Sequence, residues 1–224
     1  MELNHIAIIM DGNRRYAKLK GLPSAMGHTM GVDALKRTVK ACQKFNIKYL
    51  TVYAFSTENW KRTKEEVDFL MNLLGATIKN ELNDLHFNNV KLKFIGNLSK
   101  LSENLQTILK EAEIKTKNND GVHLQIAINY GGRDEIVNAV NNLLKTDKKE
   151  ITEEEFENFL YTKNIPNPDL LVRTGGELRV SNFLLWQIAY SEIYVTEKFW
   201  PEFDEKELKL AINTFFERQR RYGK

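Results

Sequence analysis

A single cysteine, Cys42, stands among 224 residues, so the chain cannot close an internal disulfide or assemble a thiolate metal site. It falls on the apolar stripe of an expected helix, which marks it as a small buried side chain. Proline is scarce as well, with four in all, and no linker, repeat or low-complexity tract divides the sequence. No apolar run reaches the length of a membrane span; the longest candidate near the end, 183–190, is too short and contains Gln187. Neither sign of charge dominates. With 33 Lys+Arg against 30 Asp+Glu the net charge is +3, which suits small anionic ligands but is far from a nucleic-acid-binding composition. Glu2 occupies a place where a signal peptide carries positive charge. The expectation is a cytoplasmic protein, able to touch the inner face of a membrane, with no nucleic-acid partner.

What the chain does have is an alternation of strand-like and helix-like segments from end to end. Residues 6–10 are continuously apolar, as in a strand buried on both faces of a parallel sheet. Further strands are expected at 49–55, 90–95, 123–128, 169–172 and 192–196. Between them lie helical patterns, the longest over 64–86, a capping-box start at Thr152–Glu155, and a last helix opened by Asp204. This order predicts an α/β fold, one domain over 1–224 with a central, mostly parallel sheet flanked by helices.

Four of the expected strands end alike. Asp11-Gly12-Asn13-Arg14-Arg15, the stretch from Ser56 to Arg62, the stretch from Asn129 to Arg133, and the stretch from Arg173 to Ser181 each mix arginine with glycine or polar residues. Strand C-terminal ends share one edge of a parallel sheet, where ligands bind, so the four should meet in one crevice. Acids, guanidiniums, hydroxyls and glycine-rich backbone suit a polyanion, most simply a diphosphate with magnesium. No single loop is specific, and neither GxxxxGK[ST] nor GxGxxG occurs. The helix at 64–86 and the third and fourth strands also supply Leu70, Met71, Leu74, Ile78, Leu92, Phe94, Leu124, Ile126 and Ile128. By default these form core; together they could line an apolar slot opening at the phosphate end.

The blocks IAIIMDGNRRYA, Gly27-His28, YAFSTENW with Arg62, NYGGR, LVRTGGELRVSNFLLWQIAYSEIY and WPEFDEKEL span the chain. In this combination the sequence resembles the cis-prenyltransferase family, in its bacterial undecaprenyl diphosphate synthase group. The DDxxD signature of trans-prenyl synthases is absent, in agreement. The resemblance implies repeated condensation of isopentenyl diphosphate onto farnesyl diphosphate, giving a long polyprenyl diphosphate of C55 type, with magnesium and a homodimer. It implies that Asp11 is the essential carboxylate that positions magnesium, with Glu192 assisting the metal at the dimer. Gly12, Asn13, Arg15 and His28 would surround the allylic diphosphate. Arg173, Arg179 and Ser181, with Val180 between them, would grip isopentenyl diphosphate. Ser56, Thr57, Glu58, Asn59, Trp60 and Arg62 would order a mobile loop, with either Asn59 or a diphosphate oxygen receiving the final proton. Arg221-Tyr222-Gly223 matches an ending thought to reach the partner's site.

The resemblance also marks departures. Ser24 stands where many relatives carry an arginine on the diphosphate, Arg14 where many have glycine, and Tyr16 for a commoner tryptophan. Val122 falls at a position linked to product length. Rival readings are a non-catalytic prenyltransferase-like binding subunit and a phosphate-ester hydrolase on a similar sheet.

Overall fold

The apolar run near the start becomes β1 (His5–Ile9), buried at every residue. In the computed structural model, which describes residues 2–218, β1 lies inside a six-stranded sheet. Its partners are β2 (Tyr49–Ser56), β3 (Lys91–Ile95), β4 (His123–Tyr130), β5 (Leu170–Arg173) and β6 (Glu192–Val195), in the order β3-β4-β2-β1-β5-β6. Every pairing is parallel, so all six C-terminal ends point the same way. From β1 the sheet continues through β2, β4 and β3 on one side and through β5 and β6 on the other. A reversal of this kind opens a ligand crevice at the strand ends.

Alternation along β1 assigns its two faces. Ile6 and Ile8 join the large core with residues of α2 (Ser24–Lys44), α3 (Lys64–Phe87), α4 (Glu103–Thr116) and α7 (Glu205–Glu217). Ala7 and Ile9 face a smaller core with Tyr130, Phe183 and Leu184. A third cluster joins α5 (Gly132–Leu143) to α6 (Glu153–Glu157) through Ala139 and Phe156. The capping box at Thr152 and Glu155 forms as expected, and Asp204 caps α7 by accepting from the Lys206 and Glu207 amides at 2.9 and 3.1 Å. Cys42 is fully buried in the large core.

The polar stretch at 11–15 is not a loop throughout. Gly12, at φ +106°, turns the chain so that α1 (Asn13–Leu19) begins at once. A Cβ at that glycine would lie 2.5 Å from the Phe199 ring, so a side chain there meets both backbone strain and a clash. Arg14 and Arg15 therefore sit in a first helical turn.

Candidate active site

β1, β2 and β5 deliver their terminal residues to a cavity of about 1270 Å³. Asp11 lies near its centre. Its Oδ2 accepts from Arg173 Nη2 at 2.8 Å, and its Oδ1 is 3.1 Å from Arg15 Nη2. Partial burial opposes ionisation of Asp11, but the Arg173 hydrogen bond and the Arg15 and Arg173 charges outweigh it, so its carboxyl stays below the usual range. Arg173 is the most buried cation of the site, its side chain 5 % exposed. It also donates to the Arg179 carbonyl and to Ser181 Oγ. Backbone contacts fix the carboxylate's origin: the Asp11 carbonyl accepts from Thr174 Oγ1 at 2.6 Å and from the Trp200 amide at 3.0 Å.

A second charged group stands behind the lining residues Arg14, His28 and Arg62. Glu66, in the first turn of α3, lies 2.8 Å from Arg62 Nη1, 3.5 Å from Arg14 Nη1 and 3.9 Å from His28 Nε2. His28 Nε2 is buried with no hydrogen-bond partner among the described residues. Burial first, then the Arg62 and Arg14 charges, push the His28 pKa down to about 4 against the pull of Glu66. The imidazole is therefore neutral at pH 7. Glu66 escaped the sequence reading, although its i,i+4 spacing from Arg62 was a usable signal.

Gly12, Asn13, Arg14, Arg15, Ser24, His28, Ser56, Glu58, Asn59, Arg62, Arg173 and Ser181 all border the cavity. Arg14 and Ser24 border the same cavity, and Arg14 is turned to Glu66. The remaining expected residues support the cavity wall or lie away from it. Tyr16 carries Lys20 Nζ over its ring at 5.6 Å and is not in the lining. Arg179 pairs with Glu177, its guanidinium 58 % exposed, and Val180 packs on the smaller core. Thr57 and Trp60 belong to the 3₁₀ turn Thr57–Lys61 behind the wall. Trp60 Nε1 donates to Asn129 Oδ1 at 2.7 Å, and its ring meets Phe55 edge-on. Asn59 closes a capping box, its Oδ1 accepting from the Ser56 amide at 3.0 Å. That bond fixes the side chain's orientation within the turn.

The end of β4 also departs from expectation. None of residues 129–133 lines the cavity; they buttress it. Asn129 holds Trp60 and donates to the Asn97 carbonyl. Gly131 packs so tightly that a Cβ would lie 2.6 Å from Thr57 Oγ1 and 2.7 Å from Asn182 Nδ2. Asn182, also missed, donates to Glu58 and accepts from the Arg133 amide. Glu192 is elsewhere again. Its register through Leu170 to Ile6 sets it on the order of 15 Å back along the strands from Asp11, and it is paired with Arg218 at 2.9 Å. The two carboxylates therefore share no metal within one protomer. Residues 221–223 lie outside the described part of the chain.

Magnesium takes one or two carboxylates and completes its shell with water and phosphate oxygens. Ionised Asp11 meets that demand, whereas no cluster of three or more His, Cys, Asp or Glu among the described residues could hold a metal unaided. The donor set fits an ion that arrives with a diphosphate.

Behind the charged cavity runs an apolar slot of about 140 Å³ between the sheet, α2 and α3. Leu70, Met71, Leu74, Ile78, Leu124 and Ile126 line it as the sequence suggested, while Leu92, Phe94, Ile128 and Val122 stay in the core. Val32, Leu35 and Val39 form the α2 wall, which the sequence reading did not anticipate. Lys36 and Glu81 pair across the two helices at 2.9 Å. Met10, Asn13, His28, Ala54 and Leu70 border both spaces, so slot and cavity are neighbours across one shared wall.

A prenyltransferase family model described as "Putative undecaprenyl diphosphate synthase" matches residues 9–223. The chain is 50% identical to an isoprenyl transferase of Chromobacterium violaceum over 98% of its own length and 88% of that protein. It is equally identical to one of Fusobacterium nucleatum, over 98% and 95% of the two chains. Among solved structures, lavandulyl diphosphate synthase of Lavandula x intermedia, in complex with dimethylallyl diphosphate, matches with a TM-score of 0.95 and 37% identity over 99% of this chain and 98% of that one. A probable undecaprenyl diphosphate synthase of Campylobacter jejuni matches with a TM-score of 0.86 and 38% identity over the full length of both.

Proposed function

The chain belongs to the undecaprenyl diphosphate synthase family of prenyltransferases, and from that premise we propose that it condenses isopentenyl diphosphate repeatedly onto farnesyl diphosphate to give a C55 polyprenyl diphosphate. The observation that carries this reading is the adjacency of a cation-lined cavity and an apolar slot, which share Met10, Asn13, His28, Ala54 and Leu70 as wall. One end suits a diphosphate and the other a hydrocarbon. The cavity exceeds what one small ligand fills, in keeping with two diphosphate heads side by side. The family likeness to a synthase holding an allylic diphosphate points the same way.

In this reading the allylic C–O bond breaks toward the arginines. Arg15, Arg14 and Arg62 present positive charge to the oxygens that gain charge as the diphosphate leaves. Magnesium bound through Asp11 would supply further neutralisation of that charge. Arg173, with Ser181 and Arg179, holds the second diphosphate, which keeps the attacking alkene beside the developing cation. The slot walls exclude water, which would otherwise capture that cation, and the turn carrying Trp60 acts as part of the cover. Because the neutral Asn59 carboxamide is not a base at neutral pH, a diphosphate oxygen takes the final proton. Asn59 then shapes the turn.

Residues 1–224 act as one catalytic domain, which works as a homodimer. The apolar stripe of Val137, Val140 and Leu144, exposed on α5, and the edge position of β6 with Glu192 leave surface for a second copy. Among the described residues no helix is long and apolar enough to cross a membrane, and a cytoplasmic enzyme that meets the membrane only to release its lipid product accords with that.

Incubation of the purified protein with labelled isopentenyl diphosphate, farnesyl diphosphate and magnesium, followed by sizing of the extracted products, tests the proposal. Long polyprenyl diphosphates are expected. Release of phosphate without need of both prenyl substrates would replace it with a hydrolase, and binding without turnover with a non-catalytic subunit.

A further inference from the structure

The corner between α1 and α2 combines features that no residue of the cavity requires. Leu19 and Met26 are 70% and 46% exposed, and Leu22 beside them is 38% exposed. A soluble protein normally keeps such side chains apart or covered. From Gly12 to Val32 the chain carries Arg14, Arg15, Lys18 and Lys20 and no acidic residue. Lys20 is held over the Tyr16 ring, and Lys18, Leu22 and Pro23 reach the rim of the cavity. Apolar side chains ringed by lysine, at a turn and beside a ligand entrance, have the composition of an interfacial anchor. Lysines near an anionic leaflet add attraction that salt weakens.

We propose that this corner, built on Leu19, Lys20 and Met26, docks on an anionic lipid bilayer and brings the cavity mouth to the membrane surface. The occupant is identified by charge and by place. Arg14 and Arg15 are paired with Glu66, Asp11 and Glu177, so the patch draws its positive charge from Lys18 and Lys20, and it adjoins the opening from which, on the function proposed above, a lipid must leave. The apolar stripe on α5 lacks that relation, since no residue of α5 borders the cavity.

The test is co-sedimentation of the full chain with extruded vesicles of phosphatidylglycerol and phosphatidylcholine, and with vesicles of phosphatidylcholine alone. Wild-type protein should bind the anionic vesicles, more weakly at high salt, and the neutral ones poorly. The triple variant Leu19→Glu, Lys20→Glu, Met26→Glu should lose about tenfold or more in partitioning while retaining its condensation rate in detergent. Should that variant fail to fold, Leu19→Ser with Met26→Ser provides a milder version, for which a several-fold loss is expected. Equal binding of wild type and variants overturns the proposal. So does absence of binding to anionic vesicles, which would leave the corner to a protein partner. The vesicles contain no prenyl substrate, so this outcome is separate from the fate of the proposed reaction. An active chain that ignores vesicles sinks only the docking surface, and a vesicle-binding chain that makes no polyprenyl product sinks only the reaction.

Discussion

The charged cavity and the apolar slot share five wall residues, Met10, Asn13, His28, Ala54 and Leu70, yet they are built on opposite principles. The cavity's arginines and Asp11 are matched by opposite charges in or behind its wall: Asp11 with Arg173 and Arg15, Glu177 with Arg15, and Glu66 with Arg14 and Arg62. An arriving anion must exchange places with a carboxylate before it gains its full attraction. The slot holds one ion pair, Lys36 with Glu81, and is otherwise shaped by packing. Head-group binding is thus governed by competition between partners, and tail binding by volume.

The largest effect that can break this contrast is at Asp11. Asp11→Ala should lower condensation by roughly 10³-fold, as expected when a group stabilising transition-state charge is lost. The chain should still fold, less stably by about 1–3 kcal/mol because Arg173 loses its charged partner while remaining buried. Incorporation of labelled isopentenyl diphosphate and thermal melting report the two quantities, and near-normal turnover would remove the mechanism.

On the other side of the comparison, Leu74→Trp narrows the slot. Products should become shorter while the first condensation stays within a few-fold of wild type, at a stability cost of about 1–3 kcal/mol for overpacking. Product sizing separates this from a cavity defect, which would slow every step alike. Arg179→Ala, with its exposed guanidinium, should raise the KM for isopentenyl diphosphate about tenfold, the loss of one charge-assisted hydrogen bond, and leave farnesyl diphosphate affinity nearly unchanged. The reverse pattern in steady-state kinetics would exchange the two subsites.

Smaller still is Ser24→Arg. Arg14 already borders the same space, so the added arginine should tighten diphosphate binding by only about threefold, as partly exposed ion pairs do; isothermal calorimetry measures it. Last comes pH. Burial, as the largest cause, lowers both His5 and His28 to about 4. Between pH 6.5 and 4 the unfolded chain therefore binds protons that the folded chain refuses, so stability falls as pH drops through that window and is untouched by these groups above it. Urea midpoints at pH 7 and pH 5 give the size. Pyrophosphate should raise the His28 pKa and leave His5 alone, since His5 sits at the far end of β1 between Pro166 and Thr51. Imidazole NMR shifts that move together would erase the distinction between the two sites.

The two regions differed as much in how readable they were. Polar residues at strand ends are costly, so Asp11, Arg15, Arg62 and Arg173 stood out from the one-dimensional pattern, and the parallel sheet brought them together. Glu66 did not stand out, because an acid in the first turn of a helix is ordinary. Asn129 and Arg133 were expected in the crevice on strand-end grounds alone. The register shifts in β2 after Tyr53 accompany a different outcome, in which the end of β4 props the Trp60 turn from behind. For the slot, nothing in Val32, Leu35 or Val39 distinguishes a hydrocarbon wall from helix core; that depends on how far α2 stands from α3, which no local pattern encodes. Glu192 was legible as a residue but not as a position, since only the pairing of β6 reveals its distance from Asp11.

The placement of β1 has a consequence for the chain's birth on the ribosome. β2 can pair with β1 soon after both are made, but the opposite edge of β1 waits for β5, at Leu170–Arg173. At cellular translation speeds that is an interval on the order of ten seconds, during which Ile6, Ile8 and their backbone amides present an unpaired edge. The same wait applies to Asp11, whose carbonyl is fixed only by Thr174 and Trp200. The nascent protein therefore acquires its aspartate-centred geometry late, and a truncation before Trp200 should yield a sticky, chaperone-dependent fragment instead of a slow enzyme.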